Sequence, residues 1–201
     1  MDLAVLALTF GTIFVVELPD KTFIAALVLS TRYRPIAVWI GVGLAFAVQT
    51  LVAVLAGKAA SLLPETWVQA VVTVIFLAGA VLLFRTAPGA DAEEQAQEEE
   101  YAAKATEARS FLKAAAASFL VLFAAEWGDL SQLLTINMVA TYDDPVSVFV
   151  GAWGALLTVS GLAVLAGRVL LRHLRLSVLH YVGAAVCLLL AGLTAYELLR
   201  P

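Results

Sequence analysis

Glu17-Leu18-Pro19-Asp20-Lys21-Thr22 and Glu126-Trp127-Gly128-Asp129-Leu130-Ser131-Gln132 are two versions of one phrase, and each interrupts a long apolar run, 3–29 and 112–140. In both, the Glu falls at the middle of its run. At ~1.5 Å rise per residue, that depth is near the centre of a bilayer. An ionised carboxylate costs at least ~2.5 kcal/mol there. Four acids, Glu17, Asp20, Glu126 and Asp129, therefore require partners or a wet cavity. The partners predicted here are a cation and one another.

The composition around these motifs is that of an integral membrane protein: 201 residues, 62% hydrophobic, 14% charged, mean hydropathy +0.95. Apolar runs at 3–29, 36–57, 66–84, 112–140, 146–168 and 177–199 are each long enough to cross ~30 Å of hydrocarbon as a helix. The first lacks a basic leader and a small-residue cleavage site, so it is read as a retained helix and not a signal peptide. One cysteine, Cys187, excludes a disulfide framework and a cysteine-based metal cluster. With alternate threading, nine basic residues (Arg32, Arg34, Arg85, Lys104, Arg109, Lys113, Arg168, Arg172, Arg175) gather on one side, and Lys58 and Arg200 on the other. The positive-inside rule then puts both termini outside and the central linker in the cytoplasm of a cell membrane. That linker, 87–110, carries Asp91, Glu93, Glu94, Glu98, Glu99, Glu100 and Glu107 among alanines and reads as a solvated, partly helical segment.

The second half repeats the first. Glu17, Asp20 and Thr22 align with Glu126, Asp129 and Ser131 at an offset of 109, and Ala53-Val54-Leu55-Ala56-Gly57-Lys58 aligns with Ala163-Val164-Leu165-Ala166-Gly167-Arg168 at 110. Three spans per unit force the second copy to enter from the opposite side. The expected fold is all-α: six transmembrane helices as two inverted three-helix repeats, 1–86 and 111–201, with a substrate site near the midplane. Small residues four apart, Gly41 to Ala45 and Gly151 to Ala155, allow close helix packing.

On an unbroken helix, residues three apart share a face, so Glu17 and Asp20, and Glu126, Asp129 and Gln132, would each point one way. Pro19 lacks an amide N–H and crowds the Val15 carbonyl, which predicts a kink that frees that carbonyl; Gly128 permits a similar irregularity. Carboxylates, the Thr22 and Ser131 hydroxyls, the Gln132 amide and freed carbonyls make an all-oxygen set suited to calcium, manganese or magnesium. Crowded acids hold protons when no metal is bound and release them when it arrives, which couples the two. Lys21 either pairs with Glu17 as a tethered stand-in for metal or simply neutralises charge. Trp127 is expected to wall the site. Gln49, Thr50, Asn137 and Ser160 are read either as pathway lining or as helix-to-helix bonds, and Asp143 and Asp144 as a solvated turn.

At these motifs the chain resembles the Gdt-type cation/proton exchangers, relatives of transmembrane protein 165, whose signature Glu-x-Gly-Asp-Lys/Arg-Thr/Ser occurs once in each half. The resemblance covers nearly the whole chain. It implies manganese or calcium moved against protons, with Glu17, Asp20, Glu126 and Asp129 as ligands and Thr22, Ser131 and Gln132 assisting. Two positions depart from the pattern: Pro19 replaces the usual Gly, and Leu130 replaces the usual base.

The expectation is a secondary transporter in a lipid bilayer that exchanges manganese or calcium for protons. It needs no cofactor beyond the transported ion and no nucleic acid, and a homo-oligomer is left open. The alternative is an exporter of small organic cations or amino acids using the same acids. An intramembrane enzyme is disfavoured because no nucleophile, Ser-His pair or HExxH motif accompanies the acids. A non-transporting scaffold leaves four costly acids unexplained.

Overall fold

The computed structural model describes residues 1–18, 21–62, 64–104, 110–173 and 176–199. Among them it contains nine α-helices and no strand: α1 (Leu3–Glu17), α2 (Lys21–Arg32), α3 (Pro35–Ala60), α4 (Glu65–Thr86), α5 (Ala90–Lys104), α6 (Phe111–Ala125), α7 (Leu130–Tyr142), α8 (Pro145–His173) and α9 (Leu176–Leu199). Local chemistry sets several of the starts. Asp2 accepts a hydrogen bond from the Ala4 N–H at 2.8 Å, Ser110 accepts one from Lys113, and Pro35 sits where a helix needs no amide donor.

Two of the six expected spans are not single helices. α1 and α2 meet at 71°, and α6 and α7 at 74°, with the breaks inside the two acidic motifs. Three stretches are unbroken and apolar enough to cross a membrane, Pro35–Ala60, Gln69–Gly89 and Pro145–Leu165; the bent pairs raise the number to five. The described apolar part of α9, His180–Tyr196, is shorter than those three. At the second break the cause is visible, since Gly128 takes a left-handed conformation that no helix contains.

Helix packing follows the sequence repeat. α1 lies against α8 and α6 lies against α3, while α3 and α8 touch each other and α4 pairs with α9. Glycine makes both cross-half contacts close. A Cβ on Gly41 would collide with the Ala115 carbonyl of α6, and a Cβ on Gly151 would lie 2.7 Å from the Leu6 carbonyl oxygen of α1. Indole donors join α3 to α8: Trp39 Nε1 to the Leu157 carbonyl at 3.0 Å, and Trp153 Nε1 to the Gly43 carbonyl at 2.9 Å. The core draws on every one of the nine helices. Outside it, Leu44, Leu51, Leu55, Val71, Val74, Leu82, Leu188 and Leu189 are exposed, an apolar surface suited to lipid.

One end of the molecule is tied by polar contacts. The Asp2 N–H donates to Asp144 Oδ2 at 2.9 Å and to Ser147 Oγ at 2.8 Å, and Lys58 Nζ reaches Asp143 Oδ1 at 2.8 Å. The starts of α1 and α8 and the ends of α3 and α7 therefore lie together. Asp144 is more than a solvated turn residue. The Ser147 hydroxyl, the Ser147 amide and the Asp2 amide all donate to its carboxylate, which lowers its pKa to about 2.

In the acidic linker Ala90–Lys104 is a helix, and it packs on α2 where the sequence reads as solvated. Ala90 and Tyr101 are both buried in the core. Eleven residues is three helical turns, so these two share a face, a signal hidden in the sequence by the surrounding acids.

Candidate functional site

Both breaks bring helix ends to one level. α1 finishes at Glu17, and the Leu18 N–H still bonds to the Phe14 carbonyl at 3.1 Å. Pro19 and Asp20 lie outside the described residues, as does the Lys21 side chain, so the Asp20 and Lys21 assignments and the Val15 carbonyl freed by Pro19 go undescribed. Thr22, the second residue of α2, is fully buried, and its hydroxyl donates to Glu17 Oε1 at 3.1 Å across the break. In the second half, α6 ends at Ala125, Glu126 leaves the helical region (φ −103°, ψ 17°), and Gly128 turns at φ +74°. A non-glycine residue reaches that left-handed conformation only with strain. Asp129 then occupies the N-cap position of α7, yet its carboxylate does not cap the helix; Oδ2 accepts from the Ser131 hydroxyl at 3.4 Å.

Gln132, expected to assist the acids, is bonded at both ends of its amide within the break. Its Nε2 donates to the Glu126 carbonyl at 2.9 Å, and its Oε1 accepts from the Gly128 N–H at 3.1 Å. Both ends of the amide hold the break, so the side chain splints the backbone that aims Glu126 and Asp129. The shared-face argument also fails here, because the helix that would have set the i, i+3 relation is interrupted between the two acids.

What the breaks achieve is convergence. Glu17, Glu126 and Asp129 each present a carboxylate oxygen, and these atoms lie within 4.8 Å of one another. Glu17 is 1% exposed and Glu126 3%. Beside them is an internal cavity of about 10 Å³, lined by Glu17, Glu126, Ser131, Gln132, Gln49, Thr50, Thr135, Phe46, Ala53 and Leu156. That is room for about one water-sized sphere. Hard divalent ions bind oxygen at roughly 2.1–2.6 Å, so ligands on opposite sides of one ion stand roughly 4–5 Å apart. The three carboxylates fall within that span. Helix C-termini at α1 and α6 add partial negative charge, and the N-termini of α2 and α7 favour the carboxylates themselves.

Several side chains fall elsewhere than expected or were left undecided. Gln49 and Thr50 of α3 line the cavity, and Gln49 Nε2 also donates to the Phe123 carbonyl at 3.1 Å, so it both lines the site and ties α3 to α6. A Gln-Thr pair in the middle of an apolar run was the available signal. Thr135, one turn beyond Ser131, was missed; its hydroxyl donates to the Ser131 carbonyl at 2.7 Å. Asn137 instead accepts from Thr141 within α7, and Ser160 donates to the Leu157 carbonyl within α8. Trp127 is not among the residues lining the cavity: it is 53% exposed and packs edge-on against Phe123 at 5.4 Å. Leu130 turns toward α4, its methyls 3.3 and 3.5 Å from where a Cβ on Gly79 would lie. It borders an apolar cavity of about 370 Å³ between α1, α4 and α7, on whose wall Asp129 also sits.

Comparison with known proteins gives these features a context. The family model described as divalent cation/proton antiporter GDT1 matches residues 5–91 and 114–201. Protein PAM71, chloroplastic, of Arabidopsis thaliana is 30% identical over 210 residues, covering 96% of this chain and 56% of that one. GDT1-like protein sll0615 of Synechocystis is 32% identical over 158 residues, covering 74% of this chain and 73% of its own. A Vibrio cholerae protein whose name marks it as a candidate manganese exporter is 31% identical over 199 residues, covering 96% and 92%. The chain spans a little over half the length of the chloroplast relatives it matches. No solved structure matches it.

Proposed function

The chain belongs to the GDT1 family of divalent cation/proton antiporters, and from that premise we propose that it exchanges manganese or calcium for protons at the cage where its two acidic motifs meet. Glu17, Glu126 and Asp129 hold the ion, with Asp20 as the fourth acid. Thr22 and Ser131 orient their neighbouring carboxylates, and Gln132 fixes the break. Metal and protons are alternative positive partners for the same oxygens, because like charges this close repel one another. Without metal the cage holds protons. With metal it releases them.

The observation that carries this reading is the meeting, within 4.8 Å, of two buried glutamates 109 residues apart in sequence and the half-buried Asp129. The cavity that both glutamates line has room for a bare ion and not for an amino acid or organic cation, and the larger one that Asp129 borders is walled by apolar side chains. The name of the Vibrio relative favours manganese.

The architecture that goes with this function is six spans in two inverted repeats, 1–86 and 111–201, each bent pair being one span and α9 the sixth. Support comes from the reciprocal packing of α1 on α8 and α6 on α3, and from the polar end that gathers Asp2, Lys58, Asp143 and Asp144 as alternate threading requires. That end is the outside face of a cell membrane, and the linker with α5 is cytoplasmic.

Metal uptake into proteoliposomes under an imposed proton gradient tests the function. The parent chain should couple manganese or calcium entry to proton exit. Glu17→Gln and Glu126→Gln should each lose more than the 10–100-fold typical of changes to outer-shell partners of a metal. Uptake by both variants at the parent rate would remove the cage from the mechanism.

A further inference from the structure

Two short rows of side chains lead away from the cage. In α1, buried residues recur every four positions, Thr9, Ile13 and Glu17; in α6 they recur as Ser118 and Leu122, followed by Glu126. The rows correspond residue for residue at the 109 offset, each running hydroxyl, bulky apolar side chain, carboxylate. Four residues is about 6 Å of helix, so each hydroxyl lies about 12 Å along the axis from its acid. Thr9, Ile13, Ser118 and Leu122 are all 0% exposed.

Among the described residues neither hydroxyl has a hydrogen-bond partner. Within hydrocarbon a helical Ser or Thr normally returns its hydroxyl to a carbonyl of the preceding turn. Thr73, Thr86, Thr135, Thr158 and Thr194 of this chain all do so, to the carbonyl four residues back. Thr9 and Ser118 do not, and they are the equivalent residues of the two halves. Each also lies near a contact between halves. Thr9 Cβ is 3.0 Å from where a Cβ on Gly151 would stand, and Ser118 is one turn beyond Ala115, the residue that Gly41 crosses. A buried hydroxyl left unpaired is costly, and an equivalent pair of them is intelligible if each is bonded in another state of the molecule.

We propose that Thr9 and Ser118 are the polar steps of two half-pathways that reach the cage from opposite faces, and that Ile13 and Leu122 are the plugs that close them in the state described. The proposal rests on the exchange reading above and adds the route. When the contact between α1 and α8 loosens, Thr9 meets water or the hydrated cation and Ile13 yields. When the contact between α6 and α3 loosens, Ser118 and Leu122 do the same on the other side. With both closed the two glutamates are shut off from solvent, in keeping with their burial.

The test uses the full chain in proteoliposomes that exchange manganese for protons. Thr9→Cys and Ser118→Cys are exposed, from one face and then the other, to a membrane-impermeant thiosulfonate; the parent, whose Cys187 is fully buried, is the blank. Each variant should react from one face, and the two faces should be opposite. Thr9→Val and Ser118→Ala should raise the melting temperature while slowing exchange about tenfold, the worth of one lost hydrogen bond during transit. A packing role would give the first effect without the second. Labelling of both from the same face, labelling of neither while the parent exchanges, or full-speed exchange by both hydroxyl-free variants would overturn the proposal. Opposite-sided labelling in a parent that moves no metal would retain the two routes and remove the exchange reading.

Discussion

The two breaks bend their helices almost equally, 71° and 74°, with different residues at corresponding positions. Where the second motif has Gly128, the first has Pro19; where the second has Gln132, the first has Phe23, 3% exposed and packed with Val159 and Ala163 of α8. The second break is a splinted turn, with a left-handed glycine and a side-chain amide bonded to backbone on both sides. The first has a proline in the glycine's place in the sequence and an apolar anchor, and among its described residues Thr22 donates to Glu17 across the break. The size of the bend and the burial of the glutamate are what the halves share, and the means of reaching them differ.

The comparison can be broken at the contacts that hold each half against the other. Gly41→Ala puts a methyl into the Ala115 carbonyl, and Gly151→Ala puts one 2.7 Å from the Leu6 oxygen. Overpacking of this kind costs about 1–3 kcal/mol, and Gly41→Ala should lie at the upper end because its collision is tighter. Thermal unfolding in detergent measures both, and equal melting temperatures for parent and Gly41→Ala would mean that α3 and α6 are not held as described.

The splint gives the next largest effect. Gln132→Leu removes two hydrogen bonds to backbone and should cost about 2 kcal/mol, whereas Phe23→Leu in the other half should cost about 1 kcal/mol by loss of packing. Metal affinity separates the roles more sharply. Gln132→Leu should weaken manganese binding about tenfold by loosening Glu126 and Asp129, while Phe23→Leu leaves it near the parent value in a binding titration. Gly128→Ala, strained at φ +74°, should cost about 1 kcal/mol with a smaller drop in affinity, since Gln132 still spans the turn.

The smallest effect concerns the polar end. Asp144 has its pKa lowered from 3.8 to about 2 by the Ser147 and Asp2 donors. A carboxylate held below its unfolded value adds stability that is fully present above about pH 4 and is lost as pH falls through about 2. Asp144→Asn should therefore lower the melting temperature slightly at pH 6, with the difference from the parent shrinking toward pH 2. A difference independent of pH would assign the contact to shape and not to charge.

Much of the site was legible because membrane burial makes acids conspicuous. Glu17, Glu126 and Asp129 stand out in apolar runs, and the 109 offset pairs the motifs before any coordinates are known. The role of Gln132 was not legible, since its spacing from Asp129 reads as a shared helical face until the helix is seen to break. Tyr101 was masked by the acidic residues around it, although its spacing from Ala90 carried the signal. Leu130 looked like a lost base; in the fold it meets Gly79 of α4 beside an apolar cavity, where a charged side chain would be poorly placed.

By itself the sequence determined that this is a membrane-embedded, all-helical chain with a repeated acidic phrase, because hydropathy and local repetition need no knowledge of which helices touch. Tertiary structure decided that three of the acids meet, that Gln132 braces the second turn while Trp127 faces outward, and that Thr9 and Ser118 lie buried without partners among the described residues. Those outcomes depend on contacts between segments a hundred residues apart, where a glycine's missing methyl or a helix bent by some 70° sets distances that no local pattern records.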